Sequence, residues 1–164
     1  LRQNYPRFSC AQIAVYGILS VYFIRIGVTA VMKISPCRLT VYWQAVLAQD
    51  AAAMRAFLAP EAVVRWHNTN EQFRAEEFIA ANCAYPGDWD GAVQRVESIP
   101  GGCVTVTHVF SPALALSFHV TSFFQITQGR IVALDEYWGD DGAPPQWRQQ
   151  MHLGKPIMDR EEST

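Results

Sequence analysis

The sequence predicts an α+β domain, with short helices first and a meander of antiparallel strands after them, the helices packed on one face of a curved sheet. Three observations point there. Apolar residues recur at helical spacing between Leu39 and Leu58, and then at alternating spacing from about residue 91 onwards. Pro100-Gly101-Gly102 and Gln128-Gly129 punctuate the second half at hairpin intervals. Half of the 164 residues are hydrophobic and 12% are aromatic, enough to give one domain a substantial core.

The first 31 residues differ from the rest. Arg2 and Arg7 precede an apolar run from Ala11 to Ile24, Arg25 interrupts, and Ile26 to Val31 resume it. Such a run suits a signal peptide or a membrane anchor. Arg25 and the lack of a small-x-small cleavage site speak against both. Met32-Lys33 directly precedes the first well-punctuated helix, so an upstream extension of the reading frame or an artefact is the competing expectation. Residues 1–34 are therefore set apart as an apolar extension, 35–154 are read as the domain and 155–164 as a polar tail.

Ser35-Pro36 is a helix-start signal, and Leu39, Tyr42, Trp43, Val46 and Leu47 follow on one face. Asp50 caps a second helix carrying Met54, Phe57 and Leu58, which Pro60 ends. Residues 62–66 form a short strand, and a third helix runs from about Arg74 to Cys83 with Phe73, Phe78 and Ile79 turned inward. Strands are expected at roughly 91–98, 103–110, 117–127 and 130–138. Trp147 and Met151 are expected to anchor the tail.

A net charge of −2 and the absence of a Lys/Arg-rich run argue against a nucleic-acid binder. Cys10, Cys37, Cys83 and Cys103 show no metal-finger spacing and read as buried free thiols of a reducing compartment, which implies a cytoplasmic protein. No phosphate loop or nucleophile elbow occurs, so neither a cofactor nor covalent chemistry is expected.

The strand register follows from the turns. With Gln128-Gly129 as a two-residue loop, Thr127 pairs with Arg130, which sets Thr121 opposite Glu136 and His119 opposite Trp138. A symmetric turn through Ser111 to Leu116 sets His108 opposite His119. On that register His108, His119, Thr121, Glu136 and Trp138 share one face with Val104, Val106, Phe123 and Leu134. Two imidazoles and a carboxylate on an apolar surface form a candidate acid/base site. Glu136 is its proton-transfer group, His119 and His108 its partners, and Trp138 and Phe123 its flat walls.

The order of these elements, the strand Val63-Val64-Arg65-Trp66, the helix Arg74-Ala75-Glu76-Glu77-Phe78-Ile79 and the closing Gly129-Arg130-Ile131 followed by Asp135-Glu136-Tyr137-Trp138 resemble the nuclear transport factor 2-like superfamily, on its SnoaL-like branch. The resemblance spans about residues 38–153. It implies a cone-shaped α+β fold whose sheet wraps around an apolar pocket, usually in a homodimer. It also implies a small apolar or aromatic ligand and, in the enzymes of the family, acid/base catalysis of isomerase, cyclase or hydrolase type. Glu136 is the one position carried over from it as an acid/base group. A non-catalytic dimeric binding module of the same fold is the alternative.

Blander readings stand beside these. Glu136 could pair with Arg65 or Arg95, and the histidines could be ordinary core or interface side chains. His108, His119 and Glu136 could also ligate one metal ion, although no metal is expected. Trp66, Asn68 and Thr121 are assigned to substrate binding, yet Thr69 or Asn70 could instead cap the third helix, Thr69-x-x-Gln72 fitting a capping box. Tyr85-Pro86-Gly87-Asp88-Trp89 reads as a lid or as a packing anchor, and Asp140-Asp141 as a solvated turn. The second sheet face is also apolar, so a second subunit is expected to cover whichever face the helices leave. If the helices cover Phe118 and Phe124, then Ser122, Asp135 and Tyr137 become the polar groups of the pocket.

Overall fold

The computed structural model describes residues 36–157, and the expectations for residues 1–34, for Ser35 and for the end of the tail lie outside the described residues. Two helices come first, α1 (Pro36–Leu47) and α2 (Ala51–Phe57), and a third, α3 (Ala75–Cys83), follows the first two strands. Six strands, β1 (Leu58–Trp66), β2 (Glu71–Arg74), β3 (Asp90–Ile99), β4 (Gly102–Ser111), β5 (Leu116–Thr127) and β6 (Arg130–Asp140), form one unclosed sheet in the order β2-β1-β6-β5-β4-β3. A short α4 (Gln146–Gln150) ends the chain's regular structure. The sheet is antiparallel except where β1 and β6 run parallel, so the purely antiparallel sheet expected from sequence becomes a mixed one.

The helices form for the reasons their spacing gives. Leu39, Tyr42, Trp43 and Val46 fall on one stripe of α1 and are all buried against the sheet. Tyr42 meets Phe124 edge-on at 5.5 Å, and Trp43 Nε1 donates to Thr105 Oγ1 at 3.2 Å. The Asp50 carboxylate accepts from the Ala52 and Ala53 amides at 3.0 Å, capping α2. Pro60 does not follow a helix end at a distance, because α2 stops at Phe57 and β1 begins at once.

Two expectations around residue 70 are overturned. Residues 71–74 pair with β1 as a strand, Trp66 opposite Glu71, so His67 to Asn70 is the hairpin loop. Asn70 is in the left-handed region at φ 57° and caps nothing. Helix α3 is instead entered from Arg74, whose amide donates to the Glu77 carboxylate at 2.7 Å. Trp147 is 62% exposed and Met151 54%, so neither anchors the tail.

The register contains the main correction. Gln128 and Gly129 both take positive φ, 51° and 75°, as a type I′ turn requires, and Thr127 pairs with Arg130. One residue later the ladder slips: Ile126 pairs with Ile131, but Gln125 pairs with Ala133 and Val132 has no partner in β5. This β-bulge shifts all of the following β6 by one place. Glu136 faces Ser122, and Trp138 faces Val120, while His119 opposes Gly139 and Thr121 opposes Tyr137. The pairing of His108 with His119 is as the β4–β5 turn sets it. A second slip between Val93 and Arg95 leaves Gln94 unpaired on the outermost strand β3.

The helices cover the face made by Thr105, Thr107, Val109, Val120, Ser122, Phe124, Leu134 and Glu136, all buried. Cys103 is buried there as well, where burial pushes its thiol up to about 11, and Cys83 is free and half-buried. Cys10 and the Cys37 side chain lie outside the described residues.

Gly102 is where the sheet tolerates no side chain, since a Cβ there would meet the Phe124 carbonyl oxygen at 1.7 Å. Gly102→Ala is expected to cost about 3 kcal/mol or more, and Asp50→Ala about 1 kcal/mol, both read as shifts in the urea unfolding midpoint.

Candidate functional site

The bulge at Val132 turns Glu136 towards the helices, and its surroundings follow from that. The side chain is only 2% exposed. Its Oε2 accepts from Trp66 Nε1 at 2.7 Å and from Trp138 Nε1 at 3.2 Å, and Ser122 Oγ donates to Oε1 at 3.3 Å. Trp66 comes from β1, which runs beside β6 with Trp66 paired to Glu136, and Trp138 stands two places along the same strand. Burial raises the Glu136 carboxyl to about 7, against the pull of its three hydrogen bonds from Trp138, Trp66 and Ser122. Burial and the neighbouring Glu136 charge together push the Tyr42 phenol well above its ordinary value. The Tyr42 hydroxyl itself has no hydrogen-bond partner among the described residues.

Beyond these indoles lies a cavity of about 240 Å³ under the helices. Trp43, Trp66, Trp89 and Trp138 line it, with Phe118 and Tyr85 completing an aromatic wall. Asn68, Thr69 and Glu71 of the β1–β2 hairpin and Asp140 at the end of β6 supply polar groups. Its roof is braced at Gln49, where φ is 52°. The Gln49 amide donates to the Asn82 carbonyl at 3.0 Å and to the Tyr85 carbonyl at 2.7 Å, and the Cys83 thiol donates back to the Gln49 carbonyl.

The structure divides the residues proposed from sequence between two faces. Trp66, Asn68 and Trp138 line the cavity, and Glu136 lies behind two of them. His108, His119, Thr121 and Phe123 are on the opposite, uncovered face, so the structure separates both imidazoles from Glu136 and removes Thr121 from the cavity as a substrate-binding residue and Phe123 as one of its walls. The cause is the single unpaired residue of β6. Glu136 therefore cannot share a metal ion with the two histidines. The blander ion pairs are not formed either, because Arg65 pairs with Asp135 at 3.3 Å and Arg95 with Glu97 at 2.9 Å. Helices do cover Phe118 and Phe124, yet of the rival set only Ser122 lies inside. Asp135 holds His67 at 2.8 Å on the open face, where the His67 ring stacks on Tyr137 at 4.3 Å.

The histidines instead gather around a residue read as solvated turn. His119 Nδ1 lies 2.6 Å from Asp141 Oδ1, Ser117 Oγ donates to Asp141 Oδ2 at 2.5 Å, and His108 Nε2 lies 2.8 Å from that same Ser117 oxygen. The two imidazoles stack at 4.8 Å. Partial burial pushes the Asp141 carboxyl up, but the Ser117 and His119 hydrogen bonds and the two imidazoles outweigh it and hold it below its ordinary value.

Sequence reasoning missed Trp43 and Asp140 as cavity residues, and it offered Tyr85 and Trp89 only as a lid or a packing anchor. Trp89 Nε1 does donate to the Pro86 carbonyl at 3.1 Å, as a packing anchor would, and the same ring faces the cavity region. The alternation Glu136, Trp138, Asp140 was a usable signal for one of them.

No family model matches the chain, and no curated protein matches it. Solved structures do. A proposed ketosteroid isomerase from Kribbella flavida is similar at a TM-score of 0.62 and 18% identity, over 76% of this chain and 90% of that one. An NTF-2 like protein of unknown function from Burkholderia xenovorans is similar at 0.59 and 20% identity, over 72% and 92%. An LEH-like epoxide hydrolase of M. tuberculosis is similar at 0.53 and 16% identity, over 62% and 79%. These likenesses and the helix-covered, unclosed six-stranded sheet agree: the chain has the nuclear transport factor 2-like fold.

Proposed function

We propose that this chain is a pocket protein that binds a small aromatic or apolar molecule between its tryptophans. The observation that carries the reading is the convergence of four tryptophans on one cavity, two of them fixed by a single buried carboxylate oxygen. Aromatic walls with a few polar groups are the usual make-up of a small-molecule site. At about 240 Å³ the space lies below the roughly 300–1,000 Å³ of drug-sized ligand sites, which favours a one-ring ligand over a polycycle. In this reading Glu136 is a positioning residue, since it stands behind the wall.

Acid/base catalysis is the second reading, and the Glu136 carboxyl at about 7 favours it, because a group that titrates near neutrality both takes and gives protons. It requires the carboxyl to reach the ligand past Trp138, whose bond is the longer of the two. The open face, with Phe123 41% and Tyr137 49% exposed beside Val104 and Val106, supports a homodimer in which a second copy covers it. Among the described residues no helix is long and apolar enough to cross a membrane.

Benzyl alcohol is expected to perturb tryptophan fluorescence saturably, and Leu47→Trp, which fills the cavity from α1, to abolish the effect; an unchanged titration in that variant would place the ligand elsewhere. Under the catalytic reading the protein exchanges the methyl protons of acetophenone for deuterium, and Glu136→Gln slows this about a hundredfold. No exchange by the wild-type chain sinks that reading and leaves the binding one.

Glu136 also makes stability depend on pH. Its folded-state pKa lies above the unfolded value, so the folded state holds the proton more tightly. Stability is greatest below about 4.5, falls as pH rises through about 7, and is level above, a loss of about 3 kcal/mol. Urea midpoints at pH 5 and pH 8 should differ less in Glu136→Gln than in the wild type.

A further inference from the structure

Among the described residues the charge on the cavity wall has one sign: Glu71 and Asp140 are its charged lining residues, both acidic, and the described lining holds no Lys, Arg or His. Neither carboxylate has an ion-pair partner among the described residues, where Arg55, Arg65 and Arg95 are committed to Glu76, Asp135 and Glu97. Unpaired carboxylates beside low-dielectric walls focus a negative potential into the space they border.

The walls themselves add to that potential. Tyr85, Trp89, Phe118, Trp138 and Trp43 form an unbroken chain of rings at 5.6, 6.0, 6.1 and 6.4 Å, most of them edge to face. Rings set at steep angles to one another present π faces in several directions, and a cation is attracted to each such face. Trp66 and Trp138 donate their N–H groups to one Glu136 oxygen. An indole that donates to a carboxyl oxygen gains electron density on its ring, which strengthens its hold on a cation. Glu136 thus sits behind the wall where, once ionised, its charge reinforces the two acidic residues in front.

From the acidic lining, the aromatic enclosure and the carboxylate behind it, we infer that the cavity takes a small organic cation, an amine or quaternary ammonium. The apolar groups around its nitrogen contact the indoles, and its charge is balanced by Asp140 and Glu71. This rests on the proposed reading of the cavity as a ligand site and names the chemical class of the ligand. An anionic ligand such as a carboxylate or phosphate would meet two acidic lining groups and, among the described residues, no basic one.

Choline and its uncharged carbon isostere 3,3-dimethylbutan-1-ol differ in charge at nearly constant shape, so titrating each into the full chain by calorimetry isolates the charge. Choline is expected to bind at least about tenfold more tightly than the alcohol. The exposed pair Glu71→Gln and Asp140→Asn together should weaken choline about tenfold and the alcohol far less, and added salt should weaken choline alone. Equal or tighter binding of the alcohol overturns the inference while leaving the pocket reading in place. Failure of choline, the alcohol and benzyl alcohol alike overturns both.

Discussion

One unpaired residue, Val132, sets the parity of the rest of β6, and the contents of the cavity depend on that parity. A strand has two faces and no intermediate, so an extra residue exchanges every later side chain between them. With the bulge, Glu136, Trp138 and Asp140 point to the side covered by helices, while Asp135 and Tyr137 point away. Without it the carboxyl would lie among the histidines on the open face. The parallel pairing of β1 with β6 then brings Trp66 beside Glu136, so two indoles from neighbouring strands reach one oxygen.

Burying a carboxyl group is costly, and the chain offsets the cost with donors rather than with an arginine. Three hydrogen bonds converge on Glu136, all from neutral groups. Neutral donors stabilise the charged form less than an ion pair would, which leaves the group balanced between its two protonation states near neutrality. The same bonds fix the rotamers of Trp66 and Trp138, so the cavity wall exists before any ligand arrives. The Gln49 brace does the equivalent for the roof, linking the α1–α2 turn to the end of α3.

Much of this fold was legible in the sequence. Helical spacing of Leu39, Tyr42, Trp43 and Val46, the Asp50 cap, and the Gln128-Gly129 turn are local signals, and each corresponds to an element or cap of the structure. The β4–β5 pairing of His108 with His119 also came from turn geometry alone. The site was harder to read because register is cumulative. A bulge leaves no signature in Ile131-Val132-Ala133, three residues that suit either face, yet it reverses the placement of everything after it. The strand β2 was missed for a related reason, since Glu71-Gln72-Phe73-Arg74 alternates weakly and is held in place by Val63 to Trp66 rather than by its own propensity. Asp140 and Asp141 read as one solvated turn, yet the last residue of β6 borders the cavity and the next holds His119 on the far side.

The outermost strand carries a different consequence. Along β3 the unpaired Gln94 breaks the regular run of backbone donors and acceptors, and the adjacent Arg95–Glu97 pair places both signs of charge on the rim. An interrupted, charged border is a poor template for a strand from another molecule. Ten residues of otherwise accessible β-structure are thereby kept from continuing the sheet into a neighbour and seeding fibrous aggregates. At this border, growth of the sheet along its hydrogen-bonding direction is disfavoured.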